Sequence, residues 1–267
     1  MFESTIGSKE IVIGDHNFQT FAGNIPPGMS KGREARDWQK QPFGSPPFQA
    51  SASPLPAKIP RSEWPAKCEA LEKSGQLLSQ RRKRAGLKSL DQNGTNYCWC
   101  NAVVSAMRLA RLFQNEPIID LSPASVAAPI KGYRNNGGWG GEALDYIIKN
   151  GIAPQSDWPA NAINRQYDNA TSQASRQKFK VTEWWELQSG DFDMLFTLLL
   201  YQIPVAIGLN WWSHEVCAVD PLWVNGKPQV RIWNSWSDDW SDEGMGTLTE
   251  SKATHDDAVA PAVATAA

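Results

Sequence analysis

The run from Cys98 to Phe113, CWCNAVVSAMRLARLF, sets Val103, Ala106, Met107, Ala110 and Phe113 at the spacing of one apolar face of an α-helix. A helix this apolar must be buried, so the rest of the fold has to be arranged around it. Further helices are read after Leu121-Ser122-Pro123, where an N-cap precedes a first-turn proline, from Glu142 to Lys149 before Asn150-Gly151, and from Asp191 to Tyr201. Strands follow at Val205 to Leu209, Glu215 to Val219 and Gln229 to Trp233, the last two joined as a hairpin around Asn225-Gly226. Helices first and strands after is an α+β order. With 267 residues and 41% hydrophobic content, the chain can bury its core in one domain of two lobes or in two small domains.

The two ends differ in composition from this body. Residues 1–58 are rich in Pro, Gly, Ser and Gln, with one strand-like run at Glu10 to Ile13, and read as an extended N-terminal arm. Residues 251–267 lack large apolar side chains and read as a disordered tail, leaving 59–250 as the domain. A net charge of -2 gives no basic field for nucleic acid or an anionic membrane. Arg81-Arg82-Lys83-Arg84 reads as a solvated helix end. The start lacks a basic and apolar leader, and the apolar stretch from Met194 to Leu209 is broken by Gln202 and Pro204, so a soluble, cytoplasmic protein is expected.

The pair Cys98 and Cys100 could be a metal clip, a redox pair, a disulfide or a nucleophile. Cys-x-Cys without a second pair does not supply four zinc ligands, and one intervening residue strains a bridge. No metal or cofactor is expected. Cys98 at a helix start, where free N–H groups and the helix dipole favour a thiolate, fits a nucleophile. It then needs a histidine. Of three, His16 falls in the arm and His255 in the tail, leaving His214 at the start of a strand.

Several ordered blocks carry a resemblance: Gln92 six residues before Cys98, with Trp99 after it; His214 opening the small apolar run His214-Glu215-Val216-Cys217-Ala218-Val219; and Asn234-Ser235-Trp236 followed by Trp240 and Gly244. Asn136-Gly137-Gly138-Trp139 and Ile59-Pro60-Arg61-Ser62-Glu63-Trp64 add two more. Over roughly residues 59–250 the chain resembles the papain-like cysteine peptidases. The resemblance implies a two-lobe fold, with a helical lobe carrying the nucleophile packed on an antiparallel, β-barrel-like lobe.

It also implies roles. Cys98 would attack a peptide carbonyl as a thiolate paired with His214, Asn234 would orient the imidazole, and Trp236 would cover that bond. The Gln92 amide and the Cys98 N–H would form the oxyanion hole, and Gly137 and Gly138 would pair with an extended substrate. Trp139 and Trp212 would wall an apolar pocket that prefers a bulky hydrophobic side chain. The partner implied is a peptide or protein substrate.

Departures matter too. The positions of the family's usual disulfide hold Thr95 and Asn135, which favours a reducing compartment. Cys100 and Cys217 read as small buried hydrophobes, with Cys68 undecided. His214 follows Cys98 by 116 positions, short of the roughly 130 to 150 typical of the group. Besides a cysteine endopeptidase, two readings stay open: a binding or structural module of the same fold, and a cysteine amidase or transferase. The arm is expected either to contact the cleft, packed by Phe18, Phe21, Phe43 and Phe48, or to act as a tether or a dock onto a larger assembly.

Overall fold

The structure, a computed structural model, describes residues 2–44 and 53–264. In chain order it contains β1 (Ile11–Ile13), α1 (Phe18–Gly23), α2 (Trp64–Lys73), α3 (Leu78–Arg84), α4 (Cys98–Phe113), α5 (Ala124–Ile130), α6 (Gly140–Asn150) and α7 (Ala170–Arg176). These are followed by β2 (Val181–Leu187), α8 (Phe192–Leu200), β3 (Val205–Leu209), β4 (His214–Val224), β5 (Lys227–Trp233), β6 (Met245–Leu248) and β7 (Asp257–Ala264). The strands form one sheet in the order β1-β6-β5-β4-β3-β7-β2, antiparallel except where β1 lies parallel to β6. The architecture is α+β as expected, but the β lobe is an open sheet edged by β1 and β2 rather than a closed barrel-like layer.

Alternation along the strands places the layers. In β4, Cys217 and Val219 face Ala106 and Leu109 of α4, while Val216 and Ala218 join the core built with Trp64 of α2 and Leu195, Leu198 and Leu199 of α8. The sheet is therefore covered on both faces. On its far side α4 packs against α5 and α6 through Val103, Val104, Val126, Ala127, Leu144 and Ile147. Burial continues from Cys98 to Arg111, so α4 is the central helix that its apolar pattern demanded.

Three expectations change. Residues 257–264 are no disordered tail: they form β7, paired with β3 on one side and β2 on the other. Its side chains are small and buried on both faces: Val259 packs in the layer of α4 and α6, and Ala258 and Ala260 in the core built with α2 and α8. The arm is only partly extended, since β1 adds an edge strand with Ile13 fully buried, and the Glu10 carboxylate pairs with Arg231 at 3.0 Å. Within the basic run, Lys83 and Arg84 are solvated, but the Arg82 side chain is buried. It meets Glu243 at 3.1 Å and lies over the Trp233 ring.

All four cysteines are free and buried. Where the family's disulfide would tie the loop before α4 to the segment before α6, hydrogen bonds do so. Asn96 N donates to Asn135 Oδ1 at 2.6 Å, Asn96 Nδ2 to Asn135 O at 2.9 Å, and Asn135 Nδ2 to Gly94 O at 3.0 Å.

Candidate active site

Cys98 is the first residue of α4, and the preceding Tyr97 gives the helix no side-chain cap, so the Trp99 N–H is left to the thiol while Cys100 N donates to Tyr97 O at 3.0 Å. The backbone N–H groups of Trp99 and of Glu215, the residue after His214, favour the thiolate. Complete burial nevertheless pushes the Cys98 thiol well up. The contact with Glu215 joins the head of α4 to the start of β4, which brings Cys98 and His214 to one place.

His214 Nε2 lies 2.8 Å from Asn234 Oδ1. That oxygen also accepts from Ser235 N at 2.8 Å, which fixes the amide orientation and makes Nε2 the proton-bearing nitrogen. Nδ1 is buried without a hydrogen-bond partner among the described residues, the Cys98 thiol included, so its lone pair is unengaged. Trp236 stacks on the imidazole at 4.7 Å and Trp212 meets it edge-on at 5.0 Å, shutting water away from the His–Asn bond. Gln92 is held as tightly: its N–H donates to Ser235 O at 2.9 Å and its Oε1 accepts from Ser235 Oγ at 2.6 Å, which leaves Nε2 to donate to Thr95 O. The structure thus groups His214, Asn234, Gln92 and Trp236 around Ser235, and joins Cys98 to this group through the backbone of Glu215.

The arm crosses this site. The Ser30 carbonyl accepts from Gln92 Nε2 at 2.9 Å and from Trp236 Nε1 at 3.0 Å. Gly138 N donates to Gly32 O and Glu34 N donates to Gly138 O, both at 2.9 Å, forming a parallel bridge centred on Arg33. The approach is close enough to demand glycines: a Cβ on Gly138 would lie 2.7 Å from the Trp99 ring, and one on Gly32 would run into the Asn96 backbone. Lys31, between them, donates to Ala22 O at 2.8 Å and brings its ammonium near both Cys98 and His214. Burial and this neighbouring cation push the imidazole down to about 3.

The pocket beside Gly138 departs from the apolar lining expected. Trp212 packs over His214 with Trp211, Trp236 and Trp240, and Trp139 lies under the Arg36 guanidinium at 4.4 Å. Arg33 sits instead among Asp257, Asn210 and Gly208. Arg36 pairs with Glu186 and donates to Gln41 O at 2.8 Å. These two buried arginines, more than the phenylalanines, seat the arm; Phe18 and Phe21 do pack on the core, Phe43 is exposed, and Phe48 lies outside the described residues. Sequence reasoning missed Ser30, Lys31, Arg33, Arg36 and Asp257. The available signal was the dense cationic segment Lys31-Gly32-Arg33-Glu34-Ala35-Arg36 beside an acidic body.

No family model matches the chain. Cysteine proteinase 2 of Entamoeba histolytica is 27% identical over 133 residues, covering 41% of this chain and 41% of that protein. Cathepsin L 1 of Paramecium tetraurelia is 23% identical over 172 residues, 58% of this chain and 52% of that one. The matches thus span about half the length of these relatives or less. Digestive procathepsin L 3 of Tenebrio molitor larval midgut superposes with a TM-score of 0.59 and 19% identity over 93% of this chain and 79% of that one. The fold is that of the papain-like cysteine proteases.

Proposed function

We propose that the chain is a cysteine endopeptidase held latent by its own arm. Cys98 adds to the peptide carbonyl, His214 takes the thiol proton through Nδ1 and returns it to the leaving amine, and water then hydrolyses the thioester. Asn234 orients the imidazole, Trp236 shields it, and the Gln92 amide with the Cys98 N–H holds the oxyanion. Gly137 and Gly138 receive the substrate backbone, and Trp139 flanks it. The single observation that carries this reading is the fixed tautomer of His214, bonded through Nε2 to Asn234, with Nδ1 buried and unbonded.

Latency is supported by the Ser30 carbonyl on the Gln92 amide and by burial that keeps the thiol protonated and the imidazole neutral. A reducing compartment suits the free cysteines and the Asn135 clip. A permanently closed papain-fold module is the second reading, favoured by the burial of both arm arginines.

A Gly32→Ala variant, whose new methyl runs into the Asn96 backbone, separates the two readings. Lifted from the cleft, the enzyme should hydrolyse unfolded protein substrates, lose this with Cys98→Ala, and take an electrophilic peptide on Cys98. Modification of Cys100 in preference, or no labelling of a folded Gly32→Ala variant, would support the module.

A further inference from the structure

The pairing of the central strands places three residues in one row. Gly208 of β3 is directly opposite Glu215 of β4 on one side and Asp257 of β7 on the other. Directly opposed residues share a sheet face, here the one that α4 and α6 cover, so two carboxylates about 10 Å apart at the backbone flank a position with no side chain. The slot is deep: Glu215 is 1% exposed and Asp257 3%. Gly140 borders it without a Cβ, and a methyl on Gly208 would overlap Arg33 Nε.

The Arg33 side chain fills this slot, 1% exposed, donating to Asp257 Oδ2 and to Asn210 Oδ1. It does not satisfy the slot fully. Neither oxygen of Glu215 has a well-formed hydrogen bond among the described residues, only the nearby Gly140 N–H and the Arg33 guanidinium favouring its charge, and Arg33 Nε is also unbonded. A single contact with Asp257 would suffice to pin an arm, whereas a second buried carboxylate in the same slot makes a recognition site for a cation with several donors. The guanidinium has five N–H groups in a planar fork, and an ammonium has three on a point.

Arg33 reaches the slot only because its own backbone flanks the bridge to Gly138. We propose that the slot is a substrate subsite for arginine, so that the peptides this chain cleaves carry arginine at the residue paired with Gly138, and the arm occupies the cleft by presenting the same side chain. The proposal rests on the peptidase reading. It runs against the bulky apolar preference expected from the sequence, because an aliphatic side chain would leave two buried carboxyl groups, both pushed up by burial, with neither counter-charge nor donor.

The test uses full-length Gly32→Ala protein, with fluorogenic peptides and matched electrophilic peptides that differ only in Arg, Lys, Leu or Phe at this position. Arginine should lead leucine on the order of 100-fold in both hydrolysis and Cys98 labelling. Asp257→Asn and Glu215→Gln should each collapse the Arg-to-Leu ratio at least about 10-fold, with circular dichroism confirming that each variant is folded. Hydrolysis that favours Leu or Phe, or an Arg preference that survives both substitutions, overturns the subsite while leaving the peptidase intact. Arginine-selective labelling without hydrolysis of any peptide keeps the subsite and sinks the peptidase. Neither labelling nor hydrolysis by any peptide overturns both.

Discussion

Asn234 Oδ1 accepts from both Ser235 N and His214 Nε2, and this double acceptance decides that Nδ1 is the imidazole nitrogen left with a free lone pair. Replacing Asn234 by Ala removes the anchor but not the base, so kcat/KM in the arm-released enzyme should fall roughly 100-fold, the scale of a small misplacement of a reacting group. Cys98 should still be alkylated; loss of alkylation would mean that Asn234 supports the fold instead. The pH response follows from His214. With the arm seated its pKa is pushed down to about 3, and water returning on release restores an ordinary value near 6.5. Between those values the open state binds more protons than the closed one, so acid favours opening, by at most about 1.4 kcal/mol per pH unit. The Lys31 ammonium repels the imidazolium in the closed state and pushes the same way, whereas burial holds the Glu215 and Asp257 carboxyls above their ordinary range in the closed state, so protonation there opposes opening. In a Glu215→Gln background, which removes the larger opposing carboxyl, hydrogen exchange across residues 29–36, corrected for intrinsic rates, should be faster at pH 5 than at pH 7.5. Protection that grows on acidification would contradict this.

Elements divided into those with large periodic side chains and those without. α4, β3, β4 and β5 were legible because their apolar residues repeat at the helical or strand period, and the glycine turn at Asn225-Gly226 fixed the hairpin. β7 was not, because a strand buried on both faces is made largely of Ala and Val, which in isolation look like a disordered tail. The consequence is measurable. Ala260→Leu should overpack the core that β7 shares with α2 and α8 and cost about 1–3 kcal/mol in denaturant unfolding, whereas a neutral result would place β7 elsewhere. β1 was legible as a strand but not as part of the domain, since its partner β6 is distant in sequence and too short to signal itself. Ile13→Ala should cost about 2–5 kcal/mol, and a cost below about 0.5 would make the whole arm dispensable. The candidate residues Cys98, His214, Asn234 and Gln92 were legible through the family resemblance that their ordered blocks carry. The acidic slot was not, because Glu215, Gly208 and Asp257 meet only through strand register.

For the molecule as a whole, the arm is two devices joined end to end. Residues 11–23 build β1 and α1 onto the body, and residues 30–36 cross the cleft, so cutting the chain at residue 58 would remove structure together with the cap. Opening the cleft therefore calls for a local change such as Gly32→Ala. In the intact protein Lys31, Arg33 and Arg36 should resist trypsin, since the two arginines are buried in ion pairs. In Gly32→Ala the same bonds should be cut early, and equal resistance would show that the arm had not moved. The most direct test of the central claim, an intact Cys–His pair capped by the arm, is the pH dependence of Cys98 alkylation in the two proteins. The account predicts that Gly32→Ala reacts rapidly already at pH 5 to 6, where only a thiolate paired with imidazolium is reactive, while the wild type stays slow across that range. Identical profiles that rise only near the ordinary thiol pKa of about 8.5 in both proteins would contradict it.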